Sequence, residues 1–277
     1  MDGTMKNNLA RLALLSALTL SALHAQVESP SAAQKPAIVG IAHVAMRVAD
    51  LRASRAFYEK LGFAQPFEIT KDGKVTEAFI KLNDRQYLEL YPADTGQTAA
   101  FLHVCFEAVN LPGLYPIYTA NGIVAPPVRK AGAGNMLLAW KGPEGQTEEI
   151  TEYLPGSKHS NDFGQHLGTD RIATHLAAAV VPMKDPAVTA EYFIQKMNFV
   201  DGGIREGARV TSPAGEKDSS FAFLPEASPE KLVLVFTGVR ENETLRKLKE
   251  RGLTAVVQQH RVLVRDPDGN LIVFTLR

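Results

Sequence analysis

HVAMRVADLRASRAFYEKLGF, residues 43–63, returns without a gap as HVCFEAVNLPGLYPIYTANGI, residues 103–123. Each copy opens on a His-Val pair in a β-branched or aromatic stretch, passes a helix-capping side chain (Asp50, Asn110) and stops at a glycine (Gly62, Gly122). Apolar alternation that gives way to a capped segment ended by glycine reads as a strand followed by a helix. Beyond the first helix, residues 65–70, 76–82 and 86–91 alternate as three more strands, with Asp72-Gly73 and Asn83-Asp84 supplying the turns. The unit is βαβββ, and the second copy carries it on to Glu149, which falls on Glu89. Pro116 lies inside the second helix and removes a backbone donor, so that helix is expected to be short or bent.

Degenerate third and fourth copies follow. Thr174-His175-Leu176-Ala177 starts like the first strand, a helix at 188–197 ends at Asn198-Phe199, and KLVLVF (231–236) precedes a helix ending at Arg251-Gly252. The turn Asp266-Pro267-Asp268-Gly269 matches Gly142-Pro143-Glu144-Gly145. The reading is therefore two related domains, 37–154 and 171–277, joined by a linker, 155–170, rich in Gly, Ser, Asn and His.

Ahead of the first domain, a short basic segment ends at Arg11 and leads into LALLSALTLSALHA (12–25), an uncharged apolar run too short for a comfortable membrane span. It predicts a signal peptide cleaved after Ala25, a tether at 26–36, and export to a periplasm or beyond, with no membrane attachment after cleavage. The chain has 277 residues with 30 Lys+Arg against 30 Asp+Glu and 45% hydrophobic residues, which gives no electrostatic footprint for nucleic acid and argues against disorder. The lone Cys105 excludes an intramolecular disulfide and a Cys-based zinc ribbon.

Strand alternation places His43 on one face with Ala45 and Arg47, Glu89 with Tyr87 and Tyr91, His103 with Phe101 and Cys105, and Glu149 with Thr147 and Thr151. Each Glu follows its His by the same interval. If the two units pair about a pseudo-twofold axis, two imidazoles and two carboxylates converge. Such a cluster is costly without a cation, because neighbouring buried carboxylates resist ionising together. One divalent metal, bound by His43, Glu89, His103 and Glu149, resolves the conflict; Zn, Ni, Co, Mn and Fe(II) all suit these donors. Cys105 shares the face and reads as a buried, inert thiol. Arg129-Lys130 followed by AGAGN (131–135) reads as a mobile basic loop over the cleft.

HVAMRVADLRASRAFYEKLGF resembles the opening strand and helix of the vicinal oxygen chelate superfamily, and GPEGQTEEITEY (142–153) resembles its closing turn and last strand. That superfamily includes glyoxalase I, methylmalonyl-CoA epimerase, extradiol dioxygenases and the fosfomycin and bleomycin resistance proteins. The resemblance implies an α+β fold of two tandem domains, each a pair of βαβββ units forming a cup-shaped mixed sheet. It also implies a metal held by His43, Glu89, His103 and Glu149, the set of bacterial-type glyoxalase I, and a substrate role for Arg47 at a position that contacts a glutathione carboxylate there. Ala93 and Ala99 depart from that enzyme's pattern, which speaks against a glutathione adduct. In the second domain only His175 is read as surviving, with Val233 and Val273 at the places of His103 and Glu149, so no metal is expected there.

Four protein ligands leave two positions on an octahedral ion, enough for two adjacent oxygens of a substrate. The expected activity is an exported isomerase, epimerase or lyase moving a proton α to a carbonyl, with Glu149 the first choice of base and Glu89 the second, and Arg47, Arg129 and Lys130 contacting substrate. The alternatives are an Fe(II) extradiol-type dioxygenase, which requires Glu89 to stay off the metal, and a non-enzymatic antibiotic-binding protein. The partner is a small molecule with adjacent oxygens, and the chain is expected to be a monomer or homodimer.

Overall fold

The computed structural model describes residues 34–216 and 218–276. The expected signal peptide and most of the tether lie outside these residues. Among the described residues, no helix is long and apolar enough to cross a membrane.

The first unit comprises β1 (Ala37–Val48), α1 (Leu51–Lys60), β2 (Ala64–Lys71), β3 (Lys74–Lys81) and β4 (Tyr87–Pro92). The second comprises β5 (Ala100–Val109), α2 (Leu111–Ala120), β6 (Arg129–Lys130), β7 (Met136–Lys141) and β8 (Thr147–Glu152). They form one eight-stranded mixed sheet in the order β2-β3-β4-β1-β5-β8-β7-β6. In each unit the first strand pairs parallel with the last (β1 with β4, β5 with β8), and β1 and β5 join the units antiparallel. The four strands that meet the joint are therefore those carrying His43, Glu89, His103 and Glu149.

After the short helix α3 (Lys158–Asn161), the pattern repeats as β9 (His175–Met183), α4 (Pro186–Met197), β10 (Phe199–Arg205), β11 (Ala208–Pro213) and β12 (Ser220–Pro225), then β13 (Val233–Val239), α5 (Glu241–Glu250), β14 (Val256–Gln258), β15 (Arg261–Arg265) and β16 (Leu271–Leu276). This second sheet has the same order, β10-β11-β12-β9-β13-β16-β15-β14. The architecture is α+β, two tandem cups of one topology.

The helices form for the reasons their ends show. Asp50 and Asp185 sit in extended backbone and accept from the first free N–H groups of α1 and α4. Asn110 caps α2 from the left-handed region, through a bond from Gly113 N. Despite Pro116, α2 keeps ten residues, the length of α1. The proline lies one turn after Pro112, so the ladder forfeits a single bond near the start of the helix.

The two sheets share one hydrophobic core on their helix-covered faces. Val44, Met46, Tyr58 and Phe63 from the first half and Leu176, Phe193, Phe236 and Phe274 from the second are buried in the same cluster. Phe63 stacks on Phe236 with centroids 5.7 Å apart, and Phe106 packs edge-on against Phe199 at 5.0 Å. The matched turns interlock reciprocally. Glu144 accepts from Lys184 N and Asp185 N, each at 2.8 Å, just ahead of α4, while Asp268 accepts from Ala49 N at 3.1 Å, just ahead of α1.

Residues 155–170, expected to be a linker, pack against the first cup. His159 of α3 is buried among Phe67, Phe79, Tyr87 and Tyr153, with ring centroids 4.6–5.2 Å away. The fully buried Lys81 ammonium donates to the Asp162 carbonyl at 2.5 Å and pairs with the Asp162 and Asp84 carboxylates, each at 2.8 Å. The segment thus supplies the counter-charge that makes a buried lysine tolerable.

Candidate metal centre

The ladder register fixes the donors. Ala45 of β1 lies beside both Glu89 of β4 and His103 of β5, and Cys105 of β5 lies beside both His43 of β1 and Glu149 of β8. The two small side chains sit between the four long ones, which leaves space over the joint for the long ones to meet. His43 Nε2 lies 3.0 Å from Glu89 Oε2, 3.4 Å from Glu149 Oε1 and 3.2 Å from His103 Nε2. His103 Nε2 lies 3.7 Å from Glu89 Oε2 and 3.6 Å from Glu149 Oε1. One donor atom each from His43, His103 and Glu149 falls within 4.8 Å of the others. Neighbouring donors on an ion with bonds of roughly 2.1 Å stand about 3 Å apart, so the cluster is spaced as one divalent ion requires.

The electrostatics have the same character. Burial opposes ionisation of Glu89 and Glu149, yet the facing imidazoles hold both carboxyls below their ordinary range. Burial likewise opposes charging of His43, but Cys105 and the two carboxylates hold it well above its usual value. His103 is lowered, by burial and by repulsion from His43. The cluster thus favours its carboxylates in the ionised form. Burial pushes the Cys105 thiol up, which matches an inert group.

The composition and spacing of the sequence did not single out Glu77. From β3 it faces Glu89, and burial together with repulsion from Glu89 and Glu149 raises its carboxyl to about 7. Glu77 is two residues from Phe79, which lies directly across from Glu89, so strand alternation alone could have placed it. His159 was missed as well. Its Nδ1 bonds to Asn135 Nδ2 at 2.9 Å, its Nε2 has no partner, and burial with repulsion from His43 and Lys81 lowers it to about 3, which keeps the ring neutral.

Arg47 lies on the His43 face, half-buried, and its Nε donates to the Thr98 carbonyl at 2.7 Å. It anchors the crossover between β4 and β5, and among the described residues no carboxylate pairs with it. Arg129 and Lys130 are exposed on the edge strand β6, away from the four central strands. The glycine-rich segment after them is a closed hairpin turn: Ala131 N donates to Asn135 O at 2.8 Å, and Ala133 O accepts from Lys158 N at 2.8 Å. These bonds pin it to the α3 segment.

In the second cup the register corrects the expectation for His175. Val235 pairs with Ala178 and Val273 as Cys105 pairs with His43 and Glu149, and Val180 pairs with Ala222 and Val233 as Ala45 pairs with Glu89 and His103. The counterparts of His43, Glu89, His103 and Glu149 are therefore Ala178, Ala222, Val233 and Val273. His175 takes the place of Gly40 at the start of the strand and bonds to the Asp218 carbonyl at 2.6 Å.

Residues 40–150 match a family model described as the Glyoxalase/Bleomycin resistance protein/Dioxygenase superfamily. No curated protein matches the chain. Among solved structures, the chain is similar to the 2,3-dioxygenase LapB from Pseudomonas sp. KL28, at 16% identity and TM-score 0.66 over 87% of this chain and 93% of that one. It is also similar to the Mn(II)-bound glyoxalase from Novosphingobium aromaticivorans, at 15% identity and TM-score 0.66 over 87% and 82% of the two chains. An extradiol ring-cleaving dioxygenase from B. fuscum aligns at 16% identity and TM-score 0.63, over 90% and 74%.

Proposed function

We propose, from the match of residues 40–150 to the glyoxalase, bleomycin-resistance and dioxygenase superfamily model, that this cup is the active site of a metal-dependent isomerase, epimerase or lyase that moves a proton α to a carbonyl. The observation that carries the reading is the convergence of two imidazoles and two carboxylates, all of them largely buried, on one point over the joint of the two units. His43, Glu89, His103 and Glu149 would hold one divalent ion, which when bound polarises adjacent substrate oxygens and stabilises an enediolate. The protein's own groups do the rest. Glu149 is placed to take the proton, with Glu89 as the alternative base. Glu77, a further carboxyl, stands beside Glu89 at the edge of this cluster. The buried floor excludes water. Signal-peptide export remains part of the proposal, as does a substrate with adjacent oxygens.

One observation favours ring cleavage as a second reading. His43, His103 and Glu149 form a compact triad whose donor atoms all lie within 4.8 Å of one another. Two His and one carboxylate are the ligands of non-haem Fe(II) oxygenases.

The test is elemental analysis of the purified protein beside a His103→Ala, Glu149→Ala variant, with proton-exchange assays on α-hydroxycarbonyls and oxygen uptake with catechols. The proposal expects about one metal per chain, lost in the variant, and metal-dependent exchange without oxygen uptake. Oxygen uptake would install the second reading, and absence of metal in the parent protein would defeat both.

A further inference from the structure

The second cup has lost every ligand position but kept its concavity. Ala178, Ala222, Val233 and Val273, the counterparts of the four metal donors, all line a cavity of about 460 Å³ on its concave face. Val180, Val235 and Leu263 extend the apolar wall, the charged groups Arg205, Glu206 and Arg261 come from the outer strands and their turns, and the inner strands add only the hydroxyls of Ser220 and Thr275. The large aromatics Phe221 and Phe223 of β12 are spent on the other face, in the core with Phe193. An apolar hollow of this size forfeits dispersion contacts on every wall. Nothing charged reaches the floor, so the hollow has no use for an ion.

The mouth narrows the choice of occupant. Glu206, in the turn between β10 and β11, forms a two-pronged ion pair with Arg261 of β15. Those strands belong to opposite halves of the sheet, so the pair spans the opening. A strap of this kind blocks a helix or strand of another protein and leaves room for a small molecule. The volume falls in the range of roughly 300–1,000 Å³ usual for such sites.

We propose that the second cup is a binding site for a small, uncharged apolar molecule, independent of the metal centre and closed by the Glu206–Arg261 pair. Gln258 and Gln259 can bond one polar group of that ligand at the rim. The experiment is a fluorescence titration of the full chain with N-phenyl-1-naphthylamine, an uncharged apolar probe. Saturable binding at one site is expected. Ala222→Phe, which fills the floor, should weaken it at least tenfold with the melting temperature retained; Ser220→Trp, beside Ala178, serves if Ala222→Phe does not fold. The His103→Ala, Glu149→Ala variant should bind the probe as the parent does. Absence of saturable binding to the parent, undiminished binding by the folded filling variant, or loss in the metal-site variant would each overturn the proposal.

Discussion

The two cups share strand order, ladder register and helix-covered faces, yet one concave floor carries His43, Glu89, His103 and Glu149 where the other carries Ala178, Ala222, Val233 and Val273. The difference shows which face specifies the fold. The helix-covered faces bury their side chains against each other and tolerate little change. The concave faces contribute few contacts to that core, so chemistry can be installed or erased there without disturbing the topology.

The comparison breaks most visibly if the halves are separated. Deleting everything after Asp170 would expose Tyr58, Leu61, Phe63, Phe106 and Trp140, and would remove the partners of Phe63, Phe106 and the Trp140 indole, which donates to Tyr192 Oη at 2.7 Å. Each large apolar side chain returned to water costs about 1.5–3 kcal/mol, and five together are about as large as the whole stability of an ordinary domain. The truncated first half should show no cooperative thermal transition by circular dichroism. A sharp transition near that of the full chain would show that the shared core is dispensable, and the second cup would then need another reason to be retained.

Much of this was legible from the repeat. The duplicated His-Val strands, the Asp50 and Asn110 caps and the equal His-to-Glu intervals suffice to set four polar groups on adjacent central strands, because register and alternation are local rules. What escaped depends on contacts distant in sequence. Residues 155–170 have the composition of a tether, and only the cage made by Phe67, Phe79, Tyr87 and Tyr153 reveals that His159 belongs inside the first cup. Lys81 reads as a surface residue at a turn until Asp162 arrives beside it. His175 misled because it opens its strand three residues ahead of Ala178, and only the ladder pairing of Ala178 with Val235 shows which residue stands at the ligand position.

A smaller effect tests the shared faces at a point where the halves differ. Glu148 of β8, opposite Trp140, stands where the second half has Ile272 opposite Val264. It is buried, one of its oxygens has no partner, and burial raises its carboxyl to about 8. The unfolded chain releases that proton near the ordinary carboxylate value, whereas the folded chain keeps it. Stability from this group is therefore fully present below the unfolded pKa and declines as pH rises through the folded one. Glu148→Gln should flatten the fall in denaturant midpoint between the ordinary carboxylate range and about pH 8. An unchanged slope would mean that Glu148 is ionised and solvated in the fold.

The smallest effect concerns the interlocked turns, where the halves agree. Glu144 holds the N–H groups ahead of α4 and also accepts from Thr189 Oγ1 at 3.1 Å, whereas Asp268 holds a single N–H ahead of α1. The backbone donors hold the Glu144 carboxyl below its ordinary range despite the opposing cost of burial, whereas burial raises that of Asp268. The reciprocity is thus unequal in strength. Glu144→Gln should cost about 1 kcal/mol and Asp268→Asn less, since bonds to an ionised acceptor at a partly exposed helix start have that scale. The sign with pH also differs: the Glu144 contribution is lost as pH falls through its lowered folded pKa, so the two Glu144 forms should converge in stability under acid. Equal losses from both substitutions would mean that the turns act only as chain connections, and that the core alone keeps the cups together.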